Sequence, residues 1–135
     1  MKLVLDCNIW ISFLIGHKAK MMERILMHPQ TEIFVCSALI DEIKDVARRP
    51  KIQKYVGKDD VNDLLDIIEA YCTIGNISKE AVSPLRDPDD LYLLSLAESV
   101  GADFLVSGDK DLTDLQAHGK TKIINLSDLI AIIGD

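Results

Sequence analysis

Apolar residues fall along this chain in two rhythms, short unbroken runs of three or four and longer stretches spaced by helical turns, and the two alternate from end to end. Leu3 to Leu5 is a run short and apolar enough for a strand buried on both faces, with Asp6 and Asn8 where it stops. Ile9 to Ile15 predicts a helix with a kink or stop near Ser12 and a break at Gly16, and Lys18 to His28 a second helix with Pro29 just beyond its end. Ile33 to Cys36 predicts the second strand, with Ser37 at its end, and Ala38 to Arg48 the next helix, which Pro50 terminates. A helix opened by Asp59 or Asp60 presents Val61, Leu64, Leu65, Ile68 and Tyr71 on one face, and the third strand lies within Tyr71 to Ile77, weakened by Gly75. Asp87-Pro88-Asp89-Asp90 has the form of a helix start, with Asp87 as cap and proline at the first helical position, before Leu93, Leu94, Leu96, Ala97 and Val100. Phe104 to Ser107 is the fourth strand, Asp111 the expected cap of a short helix holding Leu112 and Leu115, Lys122 to Asn125 the last strand, and Ser127 or Asp128 the cap of a closing helix. Such alternation implies an α/β fold, a parallel sheet with helices on both faces.

With 135 residues, 48% of them apolar, the chain suits one domain spanning residues 1–135. It shows no repeat, linker, signal-like segment or run long enough to span a membrane, so a soluble cytoplasmic protein is expected. Cys7, Cys36 and Cys72 are scattered, and His17, His28 and His118 lack ligand spacing, which favours buried thiols and ordinary histidines over a zinc site. A net charge of −7 argues against a broad basic surface for nucleic acid. The positive charge is concentrated instead between Lys44 and Lys58, where Arg48, Arg49, Lys51 and Lys54 are candidates for phosphate contacts or simply a solvated face.

The acids carry the chemistry. In open parallel sheets the ligand crevice lies outside the carboxyl ends of the strands, where Asp6 and Asp109 are expected, although Asp6 alone could simply cap the next helix. On the helix after the second strand, at about 100° per residue, Asp41 points about 160° from the apolar stripe, while Glu42 lies at its edge, about 100° away, and can lean over the sheet or remain a boundary residue. By the same count Asp90 falls within the apolar arc of its helix, about 40° from its centre, either as a cap or as a ligand, with Asp89 at the margin. Four acids in such places with no Cys or His among them select a hard cation, Mg²⁺ or Mn²⁺, because oxygen-only donor sets do so. Held around such ions, they can activate water against a phosphodiester, with Asn8, Ser12 and Ser107 orienting ligands or waters.

Asp6-Cys7-Asn8, Glu42, Asp87-Pro88-Asp89-Asp90 and Ser107-Gly108-Asp109-Lys110-Asp111, in this order, resemble the PIN domain family, especially its toxin branch, the relatives of the VapC ribonucleases. The resemblance implies a three-layer α/β/α sandwich with a five-stranded parallel sheet of order 3-2-1-4-5, and Mg²⁺- or Mn²⁺-dependent endonucleolytic cleavage of RNA. It implies catalytic and metal-binding roles for Asp6, Glu42, Asp90 and Asp109, with Asp111 a further acid, and a small antitoxin and a homodimer as partners. Cys7 and Ser107 stand where Thr is common in that family. Two alternatives remain open: a non-catalytic PIN-like module that binds RNA or protein, and a haloacid-dehalogenase-like phosphatase. The phosphatase would need a second acid where Asn8 stands.

Overall fold

The computed structural model describes residues 1–16, 18–78, 81 and 90–134. Its element order is β1 (Lys2–Leu5), α1 (Cys7–Ile15), α2 (Ala19–Leu26), β2 (Glu32–Val35), α3 (Ser37–Ala47), α4 (Pro50–Gln53), α5 (Lys58–Tyr71), β3 (Thr73–Ile74), α6 (Leu91–Val100), β4 (Phe104–Val106), α7 (Lys110–Thr113), β5 (Ala117–His118), β6 (Thr121–Ile124) and α8 (Leu126–Ile133).

Strands run in the order β3-β2-β1-β4-β6-β5. The first five in that list pair in parallel, as the alternating pattern requires, and β6 takes the place expected of a fifth strand. Among the described residues the sheet nonetheless has six strands rather than five. β5 pairs antiparallel to β6 across a two-residue turn whose first position, Gly119, sits at φ +59°, a left-handed conformation that glycine adopts without steric cost. Two residues are too short a run for hydrophobic alternation to reveal.

Successive side chains of a strand face opposite sides, so the complete burial of Leu3, Val4 and Leu5 means that both faces of the sheet are covered at β1. α1 packs against α2, α3 and α5, and α6 packs on β1 and β4. Trp10, Ile25, Leu39, Ile43, Leu64, Leu93, Leu94 and Leu105 are among the largest side chains sealed in the core. α1 runs unbroken through Ser12, whose hydroxyl donates to the Ile9 carbonyl at 2.6 Å instead of interrupting the helix. β3 stops at Gly75, where a Cβ would lie 2.9 Å from Val100 Cγ1 and 3.1 Å from Leu96 Cδ1, so glycine there permits close approach of the edge strand to α6. The N-cap of α5 is Gly57, with Asp60 reaching back to its N–H at 2.9 Å, rather than Asp59 or Asp60. The expected helix start at Asp87, Pro88 and Asp89 lies outside the described residues. No helix among the described residues is long and apolar enough to cross a membrane.

The candidate carboxylate site

Chain direction away from β1 splits in this sheet: β2 and β3 lie on one side, β4 and β6 on the other. A crevice therefore opens at the carboxyl ends of β1 and β4, the place where open α/β sheets take their ligands. Asp6 follows β1 and Ser107 follows β4, and the two ends are tied by the Asp6 N–H donating to the Val106 carbonyl at 2.9 Å.

A cavity of about 410 Å³ opens there, lined by Asp6, Glu42, Asp90 and Asp109 together with Asn8 and Arg49. Four elements deliver the four carboxylates. Asp6 is only 4% exposed. Its carboxylate does not reach the capping positions further into α1 but accepts the Ser107 hydroxyl at 2.6 Å. Burial raises its pKa from the ordinary carboxylate value; the Ser107 hydroxyl and the Cys7 N–H oppose that, and the negative charges of Glu42 and Asp109 add to it. Ser107, wholly buried, also accepts the Asp109 N–H at 2.9 Å, so one hydroxyl holds the Asp6 carboxylate and the Asp109 backbone.

Glu42 projects from α3 into the cavity, while its neighbour Asp41 is exposed. Its Oε2 accepts the hydroxyl of Tyr92 from the first turn of α6. Tyr92 is half-buried, and its phenol pKa is driven upward by burial first and by the Glu42 hydrogen bond and charge second, so the ring stays a neutral donor. Tyr92 belongs to the site and helical periodicity did not single it out. The one signal was a hydroxyl-bearing side chain two positions after Asp90 in an otherwise leucine-rich turn. Asp90 takes the N-cap position of α6 without a side-chain capping bond and faces the cavity.

The cap expected at Asp111 is Asp109 instead. Asp109 is the N-cap of α7 and accepts the Asp111 N–H at 2.9 Å, because the chain turns into the helix immediately after Gly108. Asp111 lies in the first turn of α7 and is not part of the cavity lining, whereas Asp109 caps and faces the cavity at once. Asn8 accepts the Gly108 N–H at 3.2 Å, clamping α1 to the loop after β4, and Ser12 also borders the cavity. Of the basic candidates, Arg49 lines this cavity; Arg48, Lys51 and Lys54 are exposed nearby in sequence and do not.

Burial pushes the Cys7 thiol up to about 12, with Glu42 and Asp6 adding to the shift and Arg49 opposing it. Without a metal the thiol is therefore neutral near pH 7, and the site's anionic oxygens come from its carboxylates. The donors left are carboxylate and amide oxygens, a set suited to a hard divalent cation. Among the described residues, no three Asp, Glu, Cys or His side chains stand close enough to form a finished cage. The fit is thus one of donor chemistry and of charge, since Asp6 already feels two neighbouring anions that a cation would offset.

No curated protein matches the chain in sequence. Its fold is similar to that of a chain in the crystal structure of VapBC2 from Rickettsia felis bound to a DNA fragment from their promoter, with a TM-score of 0.63 and 17% identity over 93% of this chain and 98% of that one. A family model described as "PIN domain" matches residues 2–111, a span from β1 through Asp111 that takes in every candidate acid, and on that match the chain belongs to the PIN domain family.

Proposed function

We propose that this protein is a divalent-metal-dependent endoribonuclease and the toxin half of a toxin–antitoxin pair. The observation that carries the reading is the convergence of Asp6, Glu42, Asp90 and Asp109 on one cavity at the switch point of the sheet. These four would hold Mg²⁺ or Mn²⁺. The bound cation would supply neutralisation of phosphate charge and acidify an attacking water.

The rest is done by the chain. Ser107 orients the Asp6 carboxylate and anchors the backbone of Asp109, and its hydrogen bond keeps Asp6 nearer its ionised form than burial alone allows. Tyr92 restrains Glu42 by donating one hydrogen bond to it. Arg49 places a positive charge on the cavity wall, suited to a phosphate oxygen of the substrate. Asn8 sets the approach of α1 to the loop after β4. Buried Cys7 contributes packing.

The toxin assignment is supported by family membership and by the fold shared with the VapBC2 chain. Purified protein incubated with several RNAs in Mn²⁺ or Mg²⁺ should cleave internal bonds, stop when chelator is added, and lose at least the roughly hundredfold that outer-shell changes at metal sites reach when Asp6→Asn is introduced. Undiminished cleavage by that variant defeats the site assignment. The pairing with an antitoxin predicts a short adjacent reading frame whose product relieves growth arrest; no arrest on expression removes the toxin role and leaves the nuclease.

A further inference from the structure

A second cavity, of about 580 Å³, opens between the C-terminal end of α3, α4 and the start of α5. Lys44, Arg48 and Lys58 supply cations around it, Gln53 and Asn62 supply amides, and buried Val56 forms part of an apolar floor. Its volume is in the range of sites that hold small organic ligands. The stretch from Lys44 to Lys58 contains six Lys and Arg residues and one acid, Asp45, in a chain whose net charge is −7, and Asp59 and Asp60 follow it directly, Asp60 being engaged by the Gly57 N–H. Asp45 stands 3.8 Å from Arg48, but both side chains are more than 70% exposed, so the pair contributes little and gives way readily to a phosphate.

Two features point to one class of occupant. The cavity is continuous in sequence with the carboxylate site: Val46 and Arg49 line the first, while Ala47 and Arg48 line the second, all on the last turn of α3 or just past it. In sequence Tyr55 stands between the lining residues Gln53 and Val56, 59% exposed and next to Lys54, at the cavity's margin in the chain without itself lining it. An exposed ring interleaved with cations is a stacking platform for an unpaired base, the cations track the backbone, and the amides can meet base edges.

We infer that this cavity is a subsite for a nucleotide of single-stranded RNA flanking the bond at the carboxylate site. The inference rests on the ribonuclease reading for its substrate, but its test does not depend on turnover. Binding of a fluorescein-labelled uridine decamer is measured by anisotropy in chelator, where cleavage is stopped, for the full chain and for Tyr55→Ala, Asn62→Ala and Lys58→Ala. All three residues are exposed, and circular dichroism checks that the variants fold. Tyr55→Ala should weaken binding on the order of tenfold through lost stacking. Asn62→Ala should weaken it too. Lys58→Ala should reduce the slope of log affinity against log salt by about 0.7, one phosphate's share for a single strand. A duplex of the same length should bind more weakly than the single strand, since Tyr55 needs an unstacked base.

The subsite is refuted if the decamer does not bind, if the variants bind it as the wild type does, or if polyglutamate displaces it while Tyr55→Ala changes nothing, which would mark an acidic protein segment as the occupant. Cleavage of RNA in Mn²⁺ is scored separately. Cleaving protein whose three variants bind normally overturns the subsite alone; weakened variants of a protein that never cleaves overturn the nuclease alone.

Discussion

At the scale of single residues, Ser107 has the largest leverage for its size. Its hydroxyl donates to Asp6 and accepts from the Asp109 backbone in a fully buried position, so Ser107→Ala removes both restraints at once. Cleavage should fall roughly 10- to 100-fold, the range for outer-shell changes at metal sites. Because the hydroxyl favours the charged form of Asp6, its loss should raise that pKa further and move the acid limb of the pH–rate profile to higher pH. Ser107→Thr, which keeps the hydroxyl, should restore the limb. Asp6 also makes a stability prediction. Burial holds its folded pKa above the ordinary carboxylate value, so the native state binds the extra proton and stability falls as pH rises through the window from the unfolded to the folded value. Asp6→Asn abolishes that penalty and can still accept from Ser107. Its melting temperature should exceed that of the wild type at pH 7, and the difference should shrink on acidification below the unfolded pKa. An unchanged difference across that range would mean that Asp6 is not held out of water as described.

At the scale of elements, the sequence was readable where burial alone decides. β1, β2 and β4 are apolar runs because each is shielded, and the Leu-rich arc of α6 is read directly from spacing. It was less readable where a local bond decides. Nothing in Ser107-Gly108-Asp109-Lys110-Asp111 says which acid caps; the turn after Gly108 makes it Asp109, and only the folded loop shows that capping and facing the cavity are compatible. Tyr92 was missed for the same reason, since its partner Glu42 lies 50 residues away. Gly75, which weakened the prediction of β3, turns out to be where the strand ends and meets α6. Gly75→Ala drives a methyl against Val100 and Leu96 and should cost about 1–3 kcal/mol, the usual range for overpacking, measured by denaturant unfolding. A neutral result would mean that the β3 edge moves away from α6 freely. At the other end of the chain, Asn125 caps α8 in a reciprocal box with Asp128, and Asn125→Ala should cost about 1 kcal/mol.

At the scale of the whole molecule, topology does what no motif can. A sheet whose chain leaves β1 in one direction and returns on its other side, with parallel pairing from β3 through β2, β1 and β4 to β6, must open a crevice between β1 and β4, and acids placed at those strand ends line it although about a hundred residues separate Asp6 from Asp109 in sequence. The arrangement concentrates like charge and therefore works against the fold until a cation is present. An ion that binds the native state and not the unfolded chain stabilises it by mass action, about 2.7 kcal/mol at a hundredfold excess over its dissociation constant, which for a domain of this size is on the order of 10 °C in melting temperature. Titration with Mn²⁺ at pH 7 should raise the melting temperature progressively, chelator should reverse it, and Asp6→Asn should flatten the response even though that variant begins from a higher value. Cys7→Ser, which leaves the carboxylates in place, should retain the response whatever it costs in packing. A rise equally large in Asp6→Asn would locate the ion elsewhere, and the absence of any rise in the wild type would leave the four acids as a strained cluster with no cation to answer it.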